Sequence, residues 1–139
     1  MFEHILVPTD FSEKSKKALE IAIKMTRYED IHKVILLHVI ETIEGTEQDE
    51  FGDFYKKLRT RAEKNMLKMT GPFKNEDDLI DTKIVYGKRE AEIVKFAHEN
   101  QMDLIVLSSH RIGEENAYNW ATISYKVGIL AQCPVMMVK

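Results

Sequence analysis

Five short apolar runs recur along this chain, at residues 3–8, 33–40, 81–86, 103–108 and 134–138, and each pair is separated by enough residues for a helix. The run Leu104-Ile105-Val106-Leu107, followed by Ser108, reads as a buried strand. The intervening segments carry helical periodicity at 12–28, 53–70, 89–100 and 119–131. In the first, Ser12 is the expected N-cap and Ala18, Ile21, Ala22 and Met25 fall on one face; in the second, Phe54, Leu58, Ala62, Met66 and Met69 align; in the last, Ile123, Val127, Leu130 and Ala131 align. Strict β/α alternation implies an α/β domain with a parallel sheet and right-handed crossovers. A chain of 139 residues buries roughly two-thirds of its unfolded surface as one domain, so residues 1–139 are expected to form a single unit.

Composition then excludes several roles. A formal charge of −3 and a pI near 6.0 argue against a nucleic acid or an anionic membrane as partner. No apolar run approaches the ~20 residues that span a bilayer, and residues 1–4 lead directly into a strand, so no leader is expected. One cysteine, Cys133, cannot form an internal disulfide and fits a reducing cytoplasm; placed before Pro134 at a strand entry, it reads as a small buried apolar residue. The acidic stretch 41–53 reads as a solvated linker, because its carboxylates lack calcium-loop spacing and the matching glycine. His4, His32, His38, His98 and His110 show no metal-ligand pairing, and His38, within an apolar run, reads as half-buried. No metal and no catalytic residue is expected: Ser108, Ser109 and Thr122 lie in no nucleophile elbow, and neither a P-loop lysine motif nor GxGxxG is present.

In an open parallel sheet, ligands sit beyond the carboxyl ends of the strands where the strand order reverses. That rule collects Pro8-Thr9-Asp10, Val39-Ile40-Glu41, Gly87-Lys88 and Ser108-Ser109-His110-Arg111. Residues 103–138 have the layout of a nucleotide-binding strand–loop–helix–strand unit without its glycines. Asp10 has a second reading as part of the first helix cap, and Val39 as plain strand.

The ordered pieces Ile5-Leu6-Val7-Pro8-Thr9-Asp10 with Ser12, Leu36-Leu37-His38-Val39, Val85-Tyr86-Gly87, Asp103-Leu104-Ile105-Val106-Leu107-Ser108-Ser109-His110 and Cys133-Pro134-Val135 together resemble the universal stress protein family over nearly the whole chain. The resemblance implies a Rossmann-like three-layer sandwich of the adenine nucleotide alpha hydrolase type, with five parallel strands in the order 3-2-1-4-5. It also implies adenosine contacts at Asp10 and Val39. Nucleotide-binding members carry G-x2-G-x9-G-[S/T] after the fourth strand. Counted back from Cys133-Pro134, that pattern falls on Ser108, Arg111, Ala121 and Thr122, so the glycines are absent and only Thr122 fits. A one-residue gap would instead align His110-Arg111-Ile112-Gly113 with the family's His-Gly-Arg-x-Gly run.

Phosphate-loop glycines let backbone amides approach phosphate oxygens at positive φ, where a residue with a side chain costs about 1–2 kcal/mol. Three replacements cost roughly 3–6 kcal/mol, against about 8 kcal/mol for a micromolar complex. Glu114 and Glu115 would also repel a triphosphate, while Arg111 could hold phosphate bidentately. The expected function is therefore a non-enzymatic, homodimeric stress-response module acting through protein contacts, with no cofactor and weak or lost nucleotide binding. The alternative is an ATP- or AMP-binding switch of the same fold, with slow hydrolysis at most. The terminal strand Pro134, Val135, Met136, Met137 and Val138 is an outer strand in the implied order. Its apolar edge is expected to pair with a second copy.

Overall fold

A computed structural model of the chain describes residues 2–28, 30–42, 52–76, 78–109 and 117–139, with the side chains of 117–121 outside the description. Five strands, β1 (His4–Pro8), β2 (Lys33–Glu41), β3 (Ile80–Gly87), β4 (Leu104–Ser108) and β5 (Val135–Val138), alternate with α1 (Glu13–Met25), α2 (Gly52–Thr70), α3 (Arg89–Glu99) and α4 (Ala117–Leu130). All pairings are parallel and the order is β3-β2-β1-β4-β5, as the resemblance implied.

Successive strand residues point to opposite faces, and here both faces are covered, which is why the strands read as unbroken apolar runs. Ile5, Val7, Val34, Leu36, Leu104 and Val106 face α1 and α2, meeting Ala18, Leu19, Ala22, Met66 and Met69. Leu6, Ile35, Leu37, Ile105 and Leu107 face α3 and α4, meeting Ile93, Ala97, Ile123 and Val127. Truncating a fully buried leucine such as Leu36 would cost about 2–5 kcal/mol.

Several helix expectations are corrected. In α1 the most buried apolar residues are Ala18, Leu19, Ala22 and Ile23, with Ile21 and Met25 only partly covered. In α2, Phe54 is 50% exposed while Tyr55 is 5% exposed and packs edge-on to Tyr86. The covered stripe thus starts one residue later than the apolar pattern suggested. A 3-10 helix, Gly71–Glu76, extends α2 towards β3, an element the sequence did not suggest. The N-cap of α1 is Ser12 as expected, its hydroxyl accepting from the Ser15 amide at 3.2 Å. Asp103, just before β4, accepts from the amides of Glu3 (2.9 Å) and His4 (3.1 Å), fastening the start of β1 to β4. No described helix is long and apolar enough to cross a membrane.

Candidate functional site

The strand order reverses at β1, which lies between β2 and β4, so the carboxyl ends of these three strands define the crevice. Past β1, the Thr9 amide donates to Leu37 O (2.8 Å), prolonging the ladder by one residue. The Thr9 hydroxyl is buried beneath α1, 2.8 Å from Ser15 Oγ and 3.4 Å from Met69 Sδ, and it accepts from the Phe11 amide at 2.9 Å. Asp10 Oδ1 accepts from the Ser12 amide at 3.0 Å. Ser12 itself caps the helix, so Asp10 orders the capping residue instead of serving as the cap.

These bonds hold Phe11 at φ 66, a left-handed conformation that a bulky side chain enters only when its surroundings impose it. The turn lays the Phe11 ring against His38, centroids 4.4 Å apart. His38 Nδ1 lies 2.9 Å from Thr9 O, and a carbonyl only accepts, so Nδ1 carries the proton and Nε2 of the neutral ring is the acceptor. Burial pushes the imidazole below its usual pKa; the Thr9 carbonyl opposes this, Arg89 reinforces it, and Asp10 opposes it. His38 is thus half-buried, as its place in an apolar run suggested.

Between α2 and the end of β2 lies a pocket of about 230 Å³ whose walls include Phe11, His38, Val39, Arg61, Asn65 and Arg89. A second cavity, between Pro8, Thr9, Leu37, Val39, Arg89 and Ile93, measures only about 10 Å³, room for about one water. Val39 borders both, is 5% exposed and sits opposite Val85 in the ladder. Arg89 opens α3, with its Nε 4.0 Å from Glu41 Oε2.

Pro8, Thr9, Asp10 and Val39 therefore come together. Gly87 stands apart, ending β3 opposite Glu41, two strands from β1. Its requirement is local: φ is +145, and a Cβ there would lie 2.7 Å from Glu92 Cγ. On the other side of β1, Ser108 is fully buried and level with Val138, and its carbonyl accepts from Ser124 Oγ at 3.4 Å. The Ser109 amide is taken by Val138 O (2.7 Å), and its carbonyl accepts from Lys14 Nζ (3.3 Å). Thr122 is half-buried on α4. His110, Arg111 and the Ala121 side chain lie outside the described residues, as does most of the acidic stretch 41–53.

Ser108, at the first glycine position in one of the two registers, is part of the sheet, and the Ser109 amide is engaged by Val138 O. No cluster of three metal-ligating side chains occurs among the described residues. Cys133 is half-buried, and burial pushes its thiol up, away from reactive thiolate. The sequence reading missed Phe11, Arg89 and Arg61. Arg89 could have been found by extending the switch-point rule two residues past Gly87, whereas Phe11 depends on its backbone conformation, which the sequence does not display.

The model of the universal stress protein family matches residues 1–139. The universal stress protein MJ0577 of Methanocaldococcus jannaschii is 30% identical over the whole chain and 96% of its own length. Its solved structure superposes with a TM-score of 0.82 at 31% identity, covering 100% and 96% of the two chains. Universal stress protein YxiE of Bacillus subtilis is 28% identical over all of both chains. More distant structures share the fold: a universal stress protein in complex with cAMP (18% identity, TM-score 0.63, 99% and 97% coverage) and one from Archaeoglobus fulgidus in complex with dAMP (15%, 0.70, 100% and 98%). On the match across all its residues, this chain belongs to the universal stress protein family.

Proposed function

We infer that this protein is a non-enzymatic stress-response module that works as a homodimer through protein contacts and binds adenine nucleotides weakly or not at all. The observation carrying this reading is the space beside Val39. Among the described residues, the cavity under it has room for about one water, and the adjoining pocket, about 230 Å³, falls below the roughly 300–1,000 Å³ of small-molecule sites. The engaged Ser109 amide and the missing glycines support the same conclusion on the phosphate side. The second reading, an adenine-nucleotide switch with Asp10 and Val39 at adenosine and Arg111 and Thr122 at phosphate, draws support from the cAMP and dAMP complexes of distant relatives.

Dimerisation is supported by where apolar surface is left uncovered. Of eight large exposed apolar side chains among the described residues, five (Tyr125, Ile129, Leu130, Met136 and Met137) fall in α4 and β5. β5 is an edge strand whose outward backbone groups two copies can satisfy by pairing about a twofold axis. Native mass spectrometry of freshly purified protein tests both halves. The expected result is a dimer without nucleotide, and a monomer or a one-to-one nucleotide mass would reject the corresponding half. Met136→Asp should shift the dimer to monomer, since it places a charge in an apolar contact.

A further inference from the structure

On α2 the residues Lys57, Arg61, Lys64 and Lys68 follow steps of four, three and four, so at 3.6 residues per turn all four project within one narrow arc. All are exposed, and among the described residues none has a carboxylate within ion-pairing distance. Of the two carboxylates of α2, Asp53 lies one turn before Lys57 on the same face and so eases only the first member of the row, while Glu63, away from that face, is 3.1 Å from Arg59. Like charges at these spacings weaken a helix, and the chain as a whole is acidic, so the row is a local concentration against the prevailing charge. It borders a shallow groove of about 450 Å³ along α2, lined by polar and charged residues of that helix, their methylene stems included, with Thr60 and Asn65 between the cations.

The lining selects the class of ligand. Protein interfaces have apolar or aromatic centres and are depleted in lysine, and among the described residues the only carbon surface this groove offers is the stems of its polar and charged side chains. Single-stranded nucleic acid needs aromatic platforms for its bases, and the groove has no aromatic one. What remains suited to a straight row of point charges, about 16 Å from Lys57 to Lys68 by helix rise, is an extended anion with neither bases nor apolar parts. We propose that the α2 groove is a binding site for linear polyphosphate, with the lysines supplying point charges and Arg61 a fork that grips phosphate oxygens. Arg61 and Asn65 also wall the pocket at His38, so the groove opens towards Arg89. The site does not depend on nucleotide binding.

The test is fluorescence anisotropy of the full chain with labelled long-chain polyphosphate over a salt series. Saturable binding is expected, with a log–log salt slope of about −3 for four phosphate contacts. Lys57→Ala, Arg61→Ala, Lys64→Ala and Lys68→Ala combined should weaken binding at least about tenfold and bring the slope towards zero; alanine favours the helix, and circular dichroism checks that it persists. A control with Lys24→Ala, Lys74→Ala, Lys83→Thr and Lys95→Ala, which changes the net charge equally, should bind as the parent does. No binding by the parent, or equal loss in both variants, would overturn the proposal. Tighter binding of single-stranded DNA or of an acidic peptide would overturn the ligand class.

Discussion

The turn after β1 and the connection after β4 flank the same crevice and were built by opposite means. After β1, three short polar side chains, Thr9, Asp10 and Ser12, each accept a backbone amide within six residues, and together they impose a left-handed Phe11 and a seat for His38. After β4 the last described amide is absorbed by the sheet itself, and in the register counted back from Cys133-Pro134 the family's glycines give way to Ser108, Arg111 and Ala121. Side-chain fastening of this kind holds the shape of a crevice whatever ligand occupies it. A phosphate loop has no such reserve, since its function is its exposed amides.

The largest effect expected from this contrast is on nucleotide affinity. ATP should bind at about a millimolar or more weakly, and Ser108→Gly, Arg111→Gly and Ala121→Gly together should recover part of the roughly 3–6 kcal/mol estimated above, a gain of at least about tenfold by calorimetry. A low-micromolar constant for the parent would erase the contrast. Next in size is Thr9→Val, which keeps the shape but strips the Phe11 amide of its acceptor; a loss of about 1–3 kcal/mol in urea unfolding is expected, largely restored by Thr9→Ser.

Asp10 should come third. Asp10→Ala removes the acceptor for Ser12 and should cost about 1 kcal/mol, whereas Asp10→Asn should keep most of that stability. If Asp10→Asn instead abolishes thermal stabilisation by AMP while leaving the ligand-free melting point unchanged, Asp10 belongs to a ligand site. His38 should give the smallest effect. Its folded pKa is lowered from 6.5, so between that value and the lower folded one the unfolded chain binds a proton that the folded chain does not. Stability from this group is complete above about pH 6.5 and declines as the pH falls through the window. Urea midpoints at graded pH should show a flatter acid limb for His38→Gln.

The fold was legible because burial on both faces leaves a simple trace, apolar runs such as Leu104-Ile105-Val106-Leu107 between periodic segments. The strand order was not in those runs and came through the resemblance. Tyr55 displacing Phe54 was illegible because two adjacent aromatics fit the helical pattern almost equally, and Tyr86 on β3 decided between them. In the candidate site, Thr9, Asp10 and Val39 could be placed because they follow strand ends. That the Thr9 hydroxyl turns under α1, and that Arg89 returns to Val39, depends on packing between segments about 50 to 80 residues apart in sequence.

The fastening of Asp103 to Glu3 and His4 has a consequence for how the molecule is made. The central pair, β1 and β4, joins Ile5 to Leu104 and Leu6 to Ile105, so one side of β1 lacks its neighbour during synthesis until the long segment through to β4 has followed. Contacts of such long separation slow folding. Until β4 arrives, any sheet begun from the first two strands offers the apolar edge of β1 to other nascent chains. Productive closure is therefore a late event, and holding β1 soluble during synthesis is a task the sequence leaves to speed or to chaperones.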